Sequence, residues 1–393
     1  MSAKAPEGPG GPRRLLMVVN VAWFFVSHRL PLAIAARASG FQVHVAAGGA
    51  TPAEIALLER HGLEFHPLQL ERASMGVFDN IRLLWQLAGL YRAVRPAIVH
   101  HVTIKPVILG TLAARLVGID AVVNAISGLG YAFTEADDDR SLTRWAAERG
   151  YRLCLRHSNM KVIVQNTSDA QYVAKIAGLT EGEIVLIGGS GVDLERFRPV
   201  PEPDVPPVVA LVPARMLRDK GVQEFSRAIA ALRSQGTKIE GWLVGGTDPG
   251  NPAAMDEAEL RKLESECGVR WLGHRSDMER LMGQVHIVCL PSYREGLPKA
   301  LAEAAAAGRP IVATDVPGCR DVVEHGVNGL LVPPREVAAL SAALAMLAAS
   351  SRLRESMGDA GRRLAEQQFD VNAIVRRTLA VYEELTGCVD EAM

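Results

Sequence analysis

Residues 285–308 read Val-His-Ile-Val-Cys-Leu, then Pro-Ser-Tyr-Arg-Glu-Gly-Leu-Pro, then Lys-Ala-Leu-Ala-Glu-Ala-Ala-Ala-Ala-Gly. The apolar run Val285 to Leu290 fits a buried strand, and Pro291-Ser292-Tyr293 breaks it. The Ala- and Leu-rich run that comes next reads as a helix, with Pro298 near its first position and Gly308 just past its end. Strand, turn and helix in this order make one unit of a parallel sheet, so the fold class depends on whether the unit recurs along the chain.

It recurs on both sides. Before the motif lie Val208 to Val212, Ile239 to Val244 and Val269 to Leu272; after it come Pro310 to Ala313 and Gly329 to Val332. Short apolar runs of this kind, separated by amphipathic stretches, give a doubly wound domain. A second series fills the first half: Leu15 to Val21, Phe41 to Ala46, Leu63 to Leu68, Ala97 to Val102, Ala121 to Ile126, Lys161 to Gln165 and Ile184 to Ile187. Between the two series, Phe197 to Pro207 holds five prolines in eleven residues, which excludes helix or central strand and marks a linker. The expectation is an α/β chain of two doubly wound, Rossmann-like domains facing a central cleft. Residues 13–199 make the first domain, 200–370 the second, and 371–393 a final helix. Ligands of such sheets bind beyond the carboxyl ends of the strands.

Composition narrows the class. The formal net charge is −1, which gives no bias toward nucleic acid. Residues 1–199 hold 21 basic against 17 acidic groups and residues 200–393 hold 22 against 27, leaving a basic first half at +4 and an acidic second half at −5. The five cysteines form no CxxC or Cys/His cluster, so neither zinc nor a disulfide framework is expected and a reducing cytosol suits them. Cys289, inside an apolar run, reads as a core filler. Arg13 and Arg14 followed by Leu15 to Val26 imitate a signal peptide, but the run contains Asn20, lacks a small-residue cleavage site and leads into a helix-like segment from His28. It is also shorter than the ~20 apolar residues that span a bilayer. Residues 1–12, rich in Gly and Pro, read as a disordered leader.

The chemistry concentrates on the quoted segment. A helix start offers free backbone N–H groups and positive dipole to a diphosphate, and Gly296 lets the backbone approach it. Glu295 and Glu303 are eight residues apart, at most ~12 Å at helical rise, so one carboxylate can meet a sugar and the other a ribose. Two exposed charges flanking a core helix is the alternative. Arg215 and Lys220 follow the first strand of the second domain, where two cations can neutralise a diphosphate.

These residues resemble the retaining glycosyltransferase family 4, in its Glu-x7-Glu element (Glu295 to Glu303) and its Arg-x4-Lys-Gly segment (Arg215 to Gly221). Gly191-Val192-Asp193, the turn Val244-Gly245-Gly246 and Leu272-Gly273-His274-Arg275 resemble further family segments. The resemblance covers residues 15 to 385 and implies the GT-B fold, with the last helix returning to the first domain. It implies catalytic roles for Glu295, Arg215 and Lys220, and donor contacts from Glu303, Gly296, Leu297, Pro298, Gly245, His274 and Arg275. A UDP-sugar co-substrate is implied, with neither a separate cofactor nor an essential metal. The triplet Asp137-Asp138-Asp139 contains the Asp-x-Asp spacing of metal-using relatives in another fold, but its place before a helix start marks it as a solvated cluster.

The first domain departs from the family where a Gly-Gly pair (here Val21 to Phe25) and a sugar-binding His (here Asn124 to Tyr131) are usual. Its Gly128-Leu129-Gly130, Arg72-Ala73-Ser74 and His100 to Pro106 resemble a bacterial branch that extends polyprenyl-diphosphate-linked saccharides with N-acetylgalactosamine or related sugars. That likeness nominates His28, Arg29, Arg72, His101, Lys105, Gly128 and Gly130 as acceptor contacts; for His28 the alternative is a helix-start residue, and for His101 a satisfied strand-end histidine. A lipid-linked acceptor also fits two segments. In Phe78 to Arg95, Phe78, Ile81, Trp85 and Leu87 stand among arginines; Arg140 to Lys161 carries Trp145 and Tyr151 among six basic residues. Such helices can lie on the anionic inner face of a plasma membrane, and helices packed on the sheet are the alternative. Two other functions share the architecture: a nucleotide-sugar 2-epimerase, and a noncatalytic donor-binding subunit.

Overall fold

Leu15, Leu16, Met17, Val18 and Val19 are all fully buried, because a central strand of a parallel sheet is covered on both faces and must be apolar on both. They belong to the first strand of a computed structural model that describes residues 13–70, 76–128, 142–204 and 206–387. The leader, Arg72, Gly130, Asp137-Asp138-Asp139, Arg140 and Cys388 lie outside the described residues. Residues as far as Ile187, with those from Val375 onward, form one unit, and Gly188–Ile374 form a second.

The first unit is built on seven parallel strands: β1 (Arg13–Val21), β2 (Phe41–Gly48), β3 (Glu64–Pro67), β4 (Ile98–Val102), β5 (Ala121–Ile126), β6 (Met160–Val164) and β7 (Ile184–Leu186). Their order is β3-β2-β1-β4-β5-β6-β7. The chain builds to one side of β1 and then returns to its other side at β4, so the switch point lies between β1 and β4. Helix ends carry local signals. Thr51 and Glu54 close a capping box before Pro52–Arg60, and Asn166 caps Thr167–Ala177, which ends at the left-handed Gly178. The helix Val371–Thr386 is held in this unit through Tyr382, which is fully buried with its Oη 2.5 Å from His100 Nδ1. Asn159 Nδ2 donates to Leu385 O at 2.9 Å and Lys161 pairs with Glu384 at 2.5 Å.

The second unit has six parallel strands: β8 (Val208–Pro213), β9 (Ile239–Val244), β10 (Arg270–Trp271), β11 (Ile287–Leu290), β12 (Ile311–Thr314) and β13 (Gly329–Val332). Their order, β10-β9-β8-β11-β12-β13, puts its switch point between β8 and β11. Cys289 is fully buried in β11 and burial pushes its thiol up, as befits a core filler.

Three readings need correction. The described residues of the proline-rich stretch form no helix or strand, but the stretch is no free tether. The change between units falls at Ile187 and Gly188, and the chain beyond it is pinned within the second unit. There Val192 N donates to Phe369 O at 2.7 Å, Arg309 Nη2 to Val200 O at 2.9 Å, and Arg354 pairs with Glu202 at 2.6 Å. His28 ends the helix Ala22–His28 and does not begin one; the next helix runs Leu30–Ala38, with Pro31 in its first turn. Leu87 and Tyr151 are fully buried, so they anchor their helices to the core while Phe78, Ile81, Trp85 and Trp145 face outward.

Candidate active site

Four loops of the second unit meet because glycines allow it. β8 runs into Arg215 and the turn Arg218–Lys220, closed by Gly221 at φ +68°. A Cβ on Gly221 would lie 2.1 Å from Pro291 O, so the Lys220 loop packs against the turn after β11 only with glycine here. Tyr293 N donates to Asp219 O at 2.8 Å across the same seam. After β9, a Cβ on Gly245 would lie 1.8 Å from Ala214 O, and Met216 N donates to Gly246 O at 3.0 Å. After β12, Gly318 abuts the motif itself, since a Cβ there would stand 2.2 Å from Gly296 O.

The charged residues sit on this frame. Lys220 Nζ lies 2.5 Å from Glu295 Oε1, with both side chains largely buried. Arg215 is paired with Asp248. The motif helix spans Lys299–Ala306, with Pro298 as its N-cap, one position earlier than the sequence suggests. Glu303 projects from the second turn, 3.6 Å from Lys299 Nζ. Burial raises its carboxyl above the ordinary glutamate value, against the pull of Lys299. The site thus gathers two cations, each balanced by a carboxylate, beside a helix N-terminus at the carboxyl end of β11. A diphosphate suits this arrangement, because its oxygens can take over both cations and the free backbone N–H groups.

Leu297 is half-buried, and a Cβ on Gly188 would lie 3.6 Å from its Cδ1. His274 and Arg275 are exposed just beyond β10, and Gly273 O accepts from Gly245 N at 2.9 Å, so this loop adjoins the glycine turn. Arg275 makes a two-pronged pair with Asp277 at 2.8 and 2.6 Å. Asp248 and Gly318 do not stand out in the sequence as site residues. Gly-Gly-Thr-Asp after β9 and Pro-Gly after β12 are the signals that mark them.

In the first unit the nominated residues separate. His101 is fully buried, with Nε2 2.8 Å from Tyr91 Oη and Nδ1 2.9 Å from Asn124 Oδ1. A Cβ on Gly110 would strike its ring at 2.5 Å. Burial pushes its imidazole down to about 4, so His101 is a neutral core group and no acceptor contact. Arg29 is buried, its guanidinium pushed down to about 10 by burial, with Nη2 3.4 Å from Ser127 Oγ. His28 is half-buried and stacks on Phe24 at 4.1 Å. Lys105 is half-buried just beyond β4, and Gly128 stands at φ +102° past β5.

Between these lies Thr103, a β-branched residue at φ +75°. Such a backbone is strained by about 1–3 kcal/mol and is found mainly at ligand sites. Asn20 Oδ1, Arg29 Nε, His100 Nε2 and Thr103 Oγ1 are buried without a hydrogen-bond partner among the described residues. Asn20 and Thr103 directly follow the paired Val19 and Val102, at the β1/β4 switch point. Orphaned polar atoms at such a place suit a polar ligand.

Known proteins share the fold and the family signature of this chain. Residues 14–166 match the "Glycosyl transferase 4-like" family model and residues 207–350 the "Glycosyl transferases group 1" model. An N,N'-diacetylbacillosaminyl-diphospho-undecaprenol alpha-1,3-N-acetylgalactosaminyltransferase of Campylobacter jejuni is 28% identical over 337 residues, covering 82% of this chain and 86% of that one. The capsular polysaccharide biosynthesis glycosyltransferase CapM of Staphylococcus aureus is 22% identical, over 81% of this chain and 84% of its own. Among solved structures, Anabaena HepE in complex with UDP aligns with a TM-score of 0.74 at 20% identity, covering 94% of this chain and 100% of that one. Sucrose-phosphate synthase of Thermosynechococcus elongatus aligns with a TM-score of 0.78 at 19% identity, covering 96% and 100%. These neighbours share the GT-B fold. The two matched segments together span well over half of the 393 residues, and the chain belongs to the family 4, group 1 glycosyltransferases.

Proposed function

We propose that this glycosyltransferase moves an N-acetylhexosamine or hexose from a UDP-sugar to a polyprenyl-diphosphate-linked saccharide, with retention of anomeric configuration. The observation that carries the donor half is the convergence of Arg215, Lys220 and the start of the helix Lys299–Ala306 beside Glu295 and Glu303. The acceptor half draws on the likeness to the Campylobacter jejuni enzyme and on the orphaned polar atoms at the β1/β4 switch point.

On this reading the bond from the sugar C1 to the diphosphate oxygen breaks while Arg215, Lys220 and the helix N–H groups stabilise the charge that grows on the diphosphate. The acceptor hydroxyl forms its bond to C1 on the same face, and the departing phosphate oxygen takes its proton. Glu295 orients the sugar and supports the positive charge near its ring. Glu303, whose carboxyl burial holds above its ordinary value, is suited to accept hydrogen bonds from ribose hydroxyls. No single helix among the described residues is long and apolar enough to cross a membrane. We place the protein at the membrane surface through Phe78, Ile81 and Trp85, exposed on one side of the helix Val77–Val94 beside the exposed Arg82.

The direct test is a screen of UDP-hexoses and UDP-N-acetylhexosamines against lipid-linked mono- and disaccharides, read by product mass. One donor and acceptor pair should give a product heavier by one sugar. Isomerised donor without any acceptor would instead point to an epimerase, and donor binding without turnover on every acceptor to a noncatalytic subunit.

A further inference from the structure

A second cluster of reactive side chains lies away from these sites, on the edge of the first sheet. β2 and β3 pair in parallel with His44 opposite Glu64 and Ala46 opposite His66. Residues two apart on a strand share a face, so Glu64 and His66 point to the same side as their cross-strand partner His44. Their polar atoms converge: His44 Nδ1 is 3.0 Å from His66 Nε2 and 3.4 Å from Glu64 Oε2, and His66 Nε2 is 3.7 Å from Glu64 Oε1. All three ligand atoms lie within 4.8 Å of one another.

Hydrogen bonding alone serves this convergence poorly. One proton at most lies between the two nitrogens in any hydrogen bond they share. A proton on His44 Nδ1 aimed at His66 Nε2 leaves the latter's lone pair beside a carboxylate oxygen. A divalent cation resolves this, because it accepts from all three groups at once. Tetrahedral zinc with bonds of ~2.0–2.1 Å sets its ligand atoms about 3.3 Å apart; the two nitrogens stand 3.0 Å apart, with one Glu64 oxygen 3.4 Å from His44 and the other 3.7 Å from His66. Two imidazoles with one carboxylate suit zinc and neighbouring transition metals, and not magnesium or calcium, which take oxygen ligands. The His44 side chain is 5% exposed, His66 21% and Glu64 56%, so the cluster is backed by the core and open on the Glu64 side.

We propose that His44, Glu64 and His66 form a zinc site that clips the edge strand β3 to β2. It takes no part in sugar transfer, and its fourth position is left to water. The pair of histidines is 22 residues apart, which is why no sequence pattern revealed it.

The test uses the untagged full chain, stripped with a chelator and titrated with zinc against a chromophoric competitor. Cobalt(II) serves as the spectroscopic probe. One equivalent of zinc should bind, cobalt should give the visible absorption of a tetrahedral ion, and the melting temperature should rise with added zinc. His66→Ala and Glu64→Gln should each weaken binding by roughly 10–100-fold, as losing a ligand costs at least as much as losing an outer-shell partner. Both should remove the zinc-dependent rise in melting temperature. If His66→Ala fails to fold, the more exposed Glu64→Gln carries the same comparison. Absence of stoichiometric binding, or binding equal in wild type and variants, overturns the site.

Discussion

Lys220 and Glu295 face each other at 2.5 Å, and this contact sets what each residue can do before any ligand arrives. The carboxylate holds the ammonium in place, and an incoming diphosphate need only draw it across. Lys220→Ala is therefore expected to lower kcat by roughly 10²–10³-fold, the usual cost of one donor to a developing anion, and Glu295→Gln by roughly 10²-fold. Steady-state kinetics with melting temperatures run alongside separate these losses from unfolding. Wild-type turnover in Glu295→Gln would remove Glu295 from the mechanism. Gly221 matters for a different reason. Gly221→Ala must bear both a left-handed backbone and a clash at 2.1 Å with Pro291 O. A stability loss of about 1–3 kcal/mol is expected in urea melts, together with reduced activity from a displaced Lys220.

At the scale of the element, β4 ties the core to pH. His101 is buried and neutral, with its imidazole pushed from 6.5 down to about 4. The unfolded chain therefore binds more protons than the folded one between these values, and stability falls as pH drops from about 6.5 toward 4. The loss approaches about 3 kcal/mol once both states are protonated. Urea melts between pH 7 and pH 4.5 should show the fall, and His101→Gln should make it shallower without abolishing it, because burial also holds the His100 imidazole down on the same strand. The same strand shows what sequence conveys and what it withholds. Ile98 to Val102 is legible as a strand because apolar residues dominate it, yet nothing local says whether His101 faces a ligand or Tyr91 and Asn124. Those partners sit 10 and 23 residues away. Likewise β5, β9 and β13 match their apolar runs, whereas Val269 to Leu272 shrinks to the edge strand Arg270–Trp271, which pairs with β9 alone. Glu295, Glu303, Arg215 and Lys220 were legible because one contiguous turn and one loop carry them. Asp248, Gly318 and the orphaned atoms beside Thr103 depend on tertiary contact.

At the scale of the whole molecule, charge and exposed apolar surface act together. The basic first half carries Phe78 at 87% exposure and Trp85 at 59%, with Ile81 between them. On a membrane these side chains add apolar burial to electrostatic attraction. Replacing all three with Ser should weaken sedimentation with anionic vesicles by roughly tenfold or more, since each large side chain contributes about 1.5–3 kcal/mol when fully buried. Transfer to a soluble, short-chain acceptor should be retained, which distinguishes lost docking from a lost site.

Same-face sugar transfer from a UDP-sugar to a lipid-linked saccharide is tested most directly by the anomeric configuration of the new linkage, read by proton coupling in the product formed from a UDP-α-sugar. An α-linked product that disappears with Lys220→Ala is predicted; a β-linked product would contradict same-face transfer.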